Sequence, residues 1–179
     1  MAKEILTKRG TPIVWADATD FAATLNGYTR TAQIDLTSLA NGKARQGAKV
    51  DLGEKRARYY VVRVGIEVDV APTAGLAIPV YFSFSASATA AVGNSGGCSG
   101  ADGAYKDSEE AEWVNQLQPV GNLYLTNDAA TVVQVGDIGF LMPRERYVMP
   151  VIYNTSGQAL EGDAVEMFLA LIPMIDELQ

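Results

Sequence analysis

The sequence predicts an all-β protein, a single β-sandwich of about eight strands with an N-terminal arm and one short helix in a long loop. Three observations predict it. Residues 57–70, ARYYVVRVGIEVDV, alternate strictly from Tyr60 onward, with Tyr60, Val62, Val64, Ile66, Val68 and Val70 on one face and Val61, Arg63, Gly65, Glu67 and Asp69 on the other. That period of two is what a strand with one dry and one wet face requires. Short apolar runs separated by turn signals recur along the chain, and helical pattern is confined to one stretch near residues 107–117. A chain of 179 residues with 48% hydrophobic and 20% charged residues suits one domain with a true core. The expected division is an extended arm over 1–29 and a sandwich over 30–179.

In chain order, residues 1–29 lack a clean period. Pro12 opens a short apolar run through Trp15, and Trp15, Phe21 and Tyr28 are large side chains that need burial, on this subunit or on a neighbour. Residues 30–36 alternate Ala32, Ile34 and Leu36 against Thr31, Gln33 and Asp35, a second half-buried strand. Residues 37–56 hold Asn41-Gly42, Gly47 and Gly53 and read as a loop or irregular hairpin. The central strand over 57–70 follows. Its apolar face is expected among the most buried parts of the chain.

After the turn at Pro72 and Gly75, residues 76–85 form the next strand, where Pro79 implies an edge position or a bulge. Residues 86–118 are a long excursion. Five glycines crowd 93–103, but no Lys-Ser or Lys-Thr pair follows them, so a phosphate-cradling loop does not fit. Asp107 and Glu110 have the spacing of a capping box, and Trp113 and Leu117 would share one face of the helix it starts. Strands over 120–126, 131–142, 144–153 and 163–173 complete the chain, with Gly136 and Gly139 marking possible bulges and MIDELQ a short tail.

Composition narrows the chemistry. There is no histidine, which removes the commonest general base and metal ligand. Cys98 is the only cysteine and can build neither an internal disulfide nor a thiolate metal site. Asp102, Asp107, Glu109, Glu110 and Glu112 lack the spacing of a calcium loop, and adjacent Glu109 and Glu110 point apart on a helix, so no metal, cofactor or catalytic residue is expected. No apolar run is long enough to span a bilayer, and charges break the apolar patch of MAKEILTKRG, so neither a membrane partner nor a secretion signal is expected.

The net charge of −7 is unevenly spread. Residues 1–70 carry 11 Lys and Arg against 8 Asp and Glu, whereas 71–179 carry 3 against 13. Lys43, Arg45, Lys49, Lys55, Arg56 and Arg58 form a basic run without interleaved aromatic platforms. A solvated loop explains such a run best, contact with an acidic protein neighbour next, and nucleic acid last; no nucleic-acid partner is expected.

Four runs carry a resemblance: DVAPTAG (69–75), GNSGGCSGADGAY (93–105), NDAATVVQVGDIG (127–139) and NTSGQALEGDAVEMFLALIPMIDELQ (154–179). Across roughly residues 55–179 the chain resembles small structural proteins encoded by tailed bacteriophages. The resemblance implies a jelly-roll sandwich, although the residues alone leave immunoglobulin-like and lectin-like strand orders open. It also implies a non-enzymatic virion subunit, assembled in the host cytoplasm and placed on the outer capsid surface as a decoration or cement protein. The implied partners are the major capsid protein or other virion subunits, and further copies of the chain, with a trimer favoured. The candidate interface residues are Lys8, Arg9, Trp15, Phe21, Tyr28, Lys43 and Arg45. The alternative is a carbohydrate-binding or fibre module for host recognition, with Tyr105 and Trp113 as ring platforms.

Overall fold

The structure is a computed structural model that describes residues 5–130 and 132–178. In chain order the strands are β1 (Ile5–Arg9), β2 (Ile13–Ala16), β3 (Ala32–Gln33), β4 (Ala44–Gln46), β5 (Val50–Asp51), β6 (Tyr59–Ile66), β7 (Ala77–Ser85), β8 (Gly103–Ala104), β9 (Gln118–Tyr124), β10 (Gln134–Leu141), β11 (Tyr147–Tyr153) and β12 (Phe168–Leu178). They form two six-stranded sheets, one ordered β10-β6-β12-β2-β3 with β1 also on β12, the other β8-β4-β11-β7-β9 with β5 also on β11. Four antiparallel pairings are nested: β2 with β12, β4 with β11, β6 with β10 and β7 with β9. A ribbon of such nested pairs rolled into two sheets is a jelly roll, and these eight strands are its frame.

β6 behaves as its alternation requires. Tyr60, Val62, Val64 and Ile66 are buried, while Val61 and Arg63 on the opposite face are half-buried. The strand stops earlier than the pattern suggests. Val68 stays in the core through a lone bridge to Leu160, but Val70 is 51% exposed, because the chain has left the sheet and begun to turn. Pro79 lies in β7, which is flanked by β11 and β9, so it is not on an edge; its neighbours Val80 and Tyr81 flank the register shift in the β7–β9 pairing. A second shift falls between Asp137 and Gly139 of β10. The last strand begins later than predicted and runs through most of the expected tail.

Of the segment expected to extend as an arm, residues 5–29 are built onto the sheets, and residues 1–4 lie outside the described residues. β2 lies beside β12, and Trp15 is fully buried between the sheets, edge-on to Phe82 at 6.2 Å, with its indole N–H donating to the Ala48 carbonyl at 2.7 Å. Residues 17–31, including the short helix α1 (Ala23–Asn26), cross the outer face of the first sheet. That face is apolar, made of Val14, Ala16, Phe168, Ala170 and Ile172, and it needs a cover. Phe21 and Tyr28 supply it, with ring centroids 6.3 and 5.1 Å from Phe168. The outer face of the second sheet has the same need. The excursion covers Ala44, Met149 and Val151 with Cys98, Tyr105, Val114 and Leu117.

The edges β9 and β10 approach each other closely on one side of the roll. A Cβ on Gly121 would stand 1.9 Å from the Ile138 carbonyl oxygen, and one on Gly139 would stand 2.6 Å from that of Val120. The Gln134 side chain ties the same edge, accepting from the Thr126 N–H at 2.8 Å and donating to its carbonyl at 3.1 Å. Gly121→Ala therefore forces two backbones apart and should cost about 3 kcal/mol in urea unfolding. Gly162→Ala, whose added methyl meets nothing within 4 Å, should be nearly neutral. Equal effects of the two would contradict the close approach.

Candidate interaction surface

The basic run divides into two groups with different fates. Lys43, Arg45 and Lys49 hold the excursion onto the second sheet. Lys43 pairs with Asp107 and, at 3.2 Å, with the buried carboxylate of Glu110. Arg45 grips Asp102 through two bonds of 2.8 and 2.6 Å, with Asp35 at 3.6 Å. Lys49 donates to Ser85 Oγ and to the carbonyls of Ser87 and Thr89 at 3.2, 3.0 and 2.7 Å. The acidic neighbour of Lys43 and Arg45 is the chain's own excursion, so these two are not an open surface. Asp107 is consequently drawn to Lys43 and caps no helix: α2 (Glu110–Trp113) starts after Glu109 with no side-chain cap. A tighter 3-10 turn, Val114–Gln116, follows it, and Leu117 is buried beyond.

Neither ring proposed as a sugar platform is open on both faces. Tyr105 is 1% exposed, its hydroxyl within 2.7 Å of the Gly96 carbonyl oxygen. Trp113 is half-buried, with the Lys106 ammonium 4.0 Å above its ring and its N–H donating to Glu109 Oε2 at 3.0 Å. Of the expected interface residues, Trp15 is core, and Phe21 and Tyr28 are the half-buried cover of the first sheet. Lys8 and Arg9 alone are exposed.

The second basic group, Lys55, Arg56 and Arg58, has no acidic partner within ion-pair distance among the described residues. It rims a groove of about 480 Å³ whose apolar part includes Ile13, Leu52 and Met174. The groove lies at the end of the roll where β6 begins, beside the ribbon that β1 and the end of β12 make. The signal for this group in the sequence is position: it lies directly before the central strand, whereas Lys43 and Arg45 lie opposite the acids of the excursion.

The opposite end, about 26 Å away along the eight residues of β6, is acidic. Its loops 67–76, 125–133 and 154–167 contain six Asp and Glu and no Lys or Arg. The loops 47–58 and 142–146 at the basic end contain six Lys and Arg against three Asp and Glu. Two carboxylates at the acidic end show contrasting environments. Burial would raise Asp17, but bonds from Thr19 N–H and hydroxyl, Gln33 and Asp20 N–H outweigh it and hold the group well below the usual carboxylate range. Glu67 is 7% exposed, and burial followed by repulsion from Glu166, Glu161 and Asp163 pushes its carboxyl up.

A third feature is a cleft of about 690 Å³ between the end of β7 and the start of β9, lined in part by Asn94, Gln116, Gln118, Arg144 and Glu145. The buried side-chain oxygens Asn94 Oδ1 and Gln118 Oε1 have no donor among the described residues. Comparison of the chain with protein-family models, with curated proteins and with solved structures finds no match.

Glu67 yields a signed pH prediction. A carboxyl raised on folding destabilises the fold when ionised, and the penalty vanishes once pH falls below its unfolded value of about 4.3. Glu67→Gln should therefore raise the thermal midpoint at pH 7 by about 2–4 °C, the response to roughly 1 kcal/mol in a domain of this size. The gain should shrink toward zero as scans are repeated down to pH 4. A constant gain, or a loss at pH 7, would show that Glu67 is not an uncompensated charge.

Proposed function

We propose that the protein is a non-enzymatic virion structural subunit, a decoration or cement protein that binds the outer surface of a phage head and stabilises it by bridging capsid subunits. The observation that carries this is the polarity of the roll. Its exposed ribbon, its apolar-based groove and the cations Lys55, Arg56 and Arg58, unpaired among the described residues, lie together at one end, and the loops 67–76, 125–133 and 154–167 at the other carry acids and no base. A subunit built this way adheres by one end and turns a charged, well-hydrated end to solvent. The partner that fits the basic end is an acidic protein surface presenting apolar side chains to the groove. The resemblance of the four sequence runs to tailed-phage structural proteins supports the major capsid protein as that surface. Binding only to the assembled shell stabilises it by mass action.

The chemistry of attachment is ordinary. Ile13, Leu52 and Met174 offer apolar area for burial, and the three cations give orientation and a fast, salt-dependent encounter. A second reading, glycan binding during host recognition, is favoured by the amide-rich cleft at Asn94, Gln116 and Gln118 with its two orphan oxygens. Glycan-array binding that is lost on Gln118→Ala would support it.

The deciding experiment adds purified protein to heads assembled without it. Wild type should bind at a fixed copy number, and Lys55→Glu/Arg56→Glu/Arg58→Glu should weaken binding about tenfold or more. Charge reversal at Glu161 and Asp163 should leave it unchanged. Wild-type protein that stays free at micromolar concentration while the heads are intact would overturn the proposal.

A further inference from the structure

Beyond the body of the roll, β1 and the end of β12 form a two-stranded ribbon. Its register runs from Arg9 opposite Met174 to Ile5 opposite Leu178. β6 leaves β12 at the Tyr59–Met174 pair, and β2 meets it only from Leu171 backward. Among the described residues, no third strand flanks the ribbon on either side. A two-stranded ribbon alone in water is marginal, yet this one keeps regular register over five residue pairs.

The backbone alternation identifies which groups are unpaired. Gly10 N–H donates to the Pro173 carbonyl at 2.8 Å, so Pro173, Ile175 and Glu177 turn their backbone groups toward β1. Asp176 and Leu178 then turn theirs to the open side. On β1 the inward set is Leu6 and Lys8, and Thr7 and Arg9 present N–H and C=O outward. The ribbon thus has two different free edges.

Their charges differ as well. β1 carries Lys8 and Arg9 and no acid, whereas residues 175–178 carry Asp176 and Glu177 and no base. Within one chain the two strands already use this complementarity: Lys8 Nζ is 2.8 Å from Glu177 Oε1, and Thr7 Oγ1 donates to Asp176 Oδ1 at 2.8 Å. Leu6 and Ile175, 44% and 41% exposed, share the face that carries Lys8 and Glu177.

We propose that the ribbon is a self-assembly element, in which the outer edge of β1 of one copy pairs with the open edge of β12 of the next. Pairing β1 with β1 would set Lys8 and Arg9 against their own copies, and pairing β12 with β12 would oppose Asp176 and Glu177 to theirs; like charges across strands destabilise both. Pairing β1 with β12 repeats the antiparallel, basic-on-acidic arrangement already present within the chain. Such a contact is heterologous, and it closes as a ring where the rotation about an axis along the ribbons returns to the first copy. Three copies give a ring of six alternating strands that covers Leu6 and Ile175.

Sedimentation velocity of the full chain tests this. Wild type should form a ring oligomer, with the mass of three chains, that dissociates as salt is raised. Thr7→Pro removes an outward N–H and leaves the intrachain ladder intact, so it should be monomeric with an unchanged fold by circular dichroism. Lys8→Glu/Arg9→Glu and Asp176→Lys/Glu177→Lys should each be monomeric, and the fourfold exchange on one chain should assemble again, which decides the matter even if Thr7→Pro does not fold. A wild type that is monomeric at all concentrations, or a Thr7→Pro variant that assembles like wild type, would overturn the proposal. Its failure leaves head binding untouched, because a monomer also docks and copy number on heads reads that separately.

Discussion

Strand β12 is hydrogen-bonded along both of its edges, to β6 on one side and to β2 and then β1 on the other. The rest of the structure depends on that double pairing. It joins the beginning of the chain to its end and sets the outermost pair of the nested series, inside which β4 with β11, β6 with β10 and β7 with β9 take their places. Leu169 and Leu171 face the interior and Phe168, Ala170 and Ile172 face outward, so β12 is apolar on both sides. A strand of that kind needs a layer on each face, and residues 17–31 provide the outer one. Because the partners are distant in sequence, the chain must close long loops before these contacts form, which makes folding slow by topology.

Much of the frame was legible in the sequence. The alternation of β6 was visible because one of its faces is interior and the other carries Arg63, which grips Asp137 on β10 through two bonds of 2.7 and 2.9 Å. The bulge near Gly139 was visible because glycine marks places where backbones crowd. What was not legible is which surface covers which. Trp15 reads as an anchor for a neighbour only while its strand has no partner, and the partner is at the far end of the chain. The basic run looks uniform in sequence, but the return of the excursion brings Asp102, Asp107 and Glu110 to Lys43 and Arg45 and leaves Lys55, Arg56 and Arg58 without an ion-pair partner among the described residues. The Asp107 capping signal lost to the same pairing, since a charged partner outweighs a capping bond on a one-turn helix.

The covered faces explain where interaction is available. With the outer layers in place, exposed apolar residues remain at both ends of the roll: Leu6 and Ile175 on the ribbon and Phe140 and Met142 near the end of β10, and Val70, Leu76 and Tyr124 beside the acidic loops. The ribbon and β10 positions lie toward the basic end. The proposed roles, adhesion to a head and ring formation through the ribbon, both use this end. Adhesion of this kind requires only complementary surfaces and a rigid frame to present them, and the jelly roll supplies the frame.

Hydrogen exchange read residue by residue at two protein concentrations tests most directly the claim that a closed frame presents one ribbon with two open assembly edges. The account predicts that amides of β6 and of residues 168–172 exchange slowly and equally at both concentrations. Thr7, Arg9 and Asp176 should exchange fast when dilute and become protected when concentrated. Ribbon amides that exchange identically at both concentrations, or core amides whose protection rises with concentration, would contradict it.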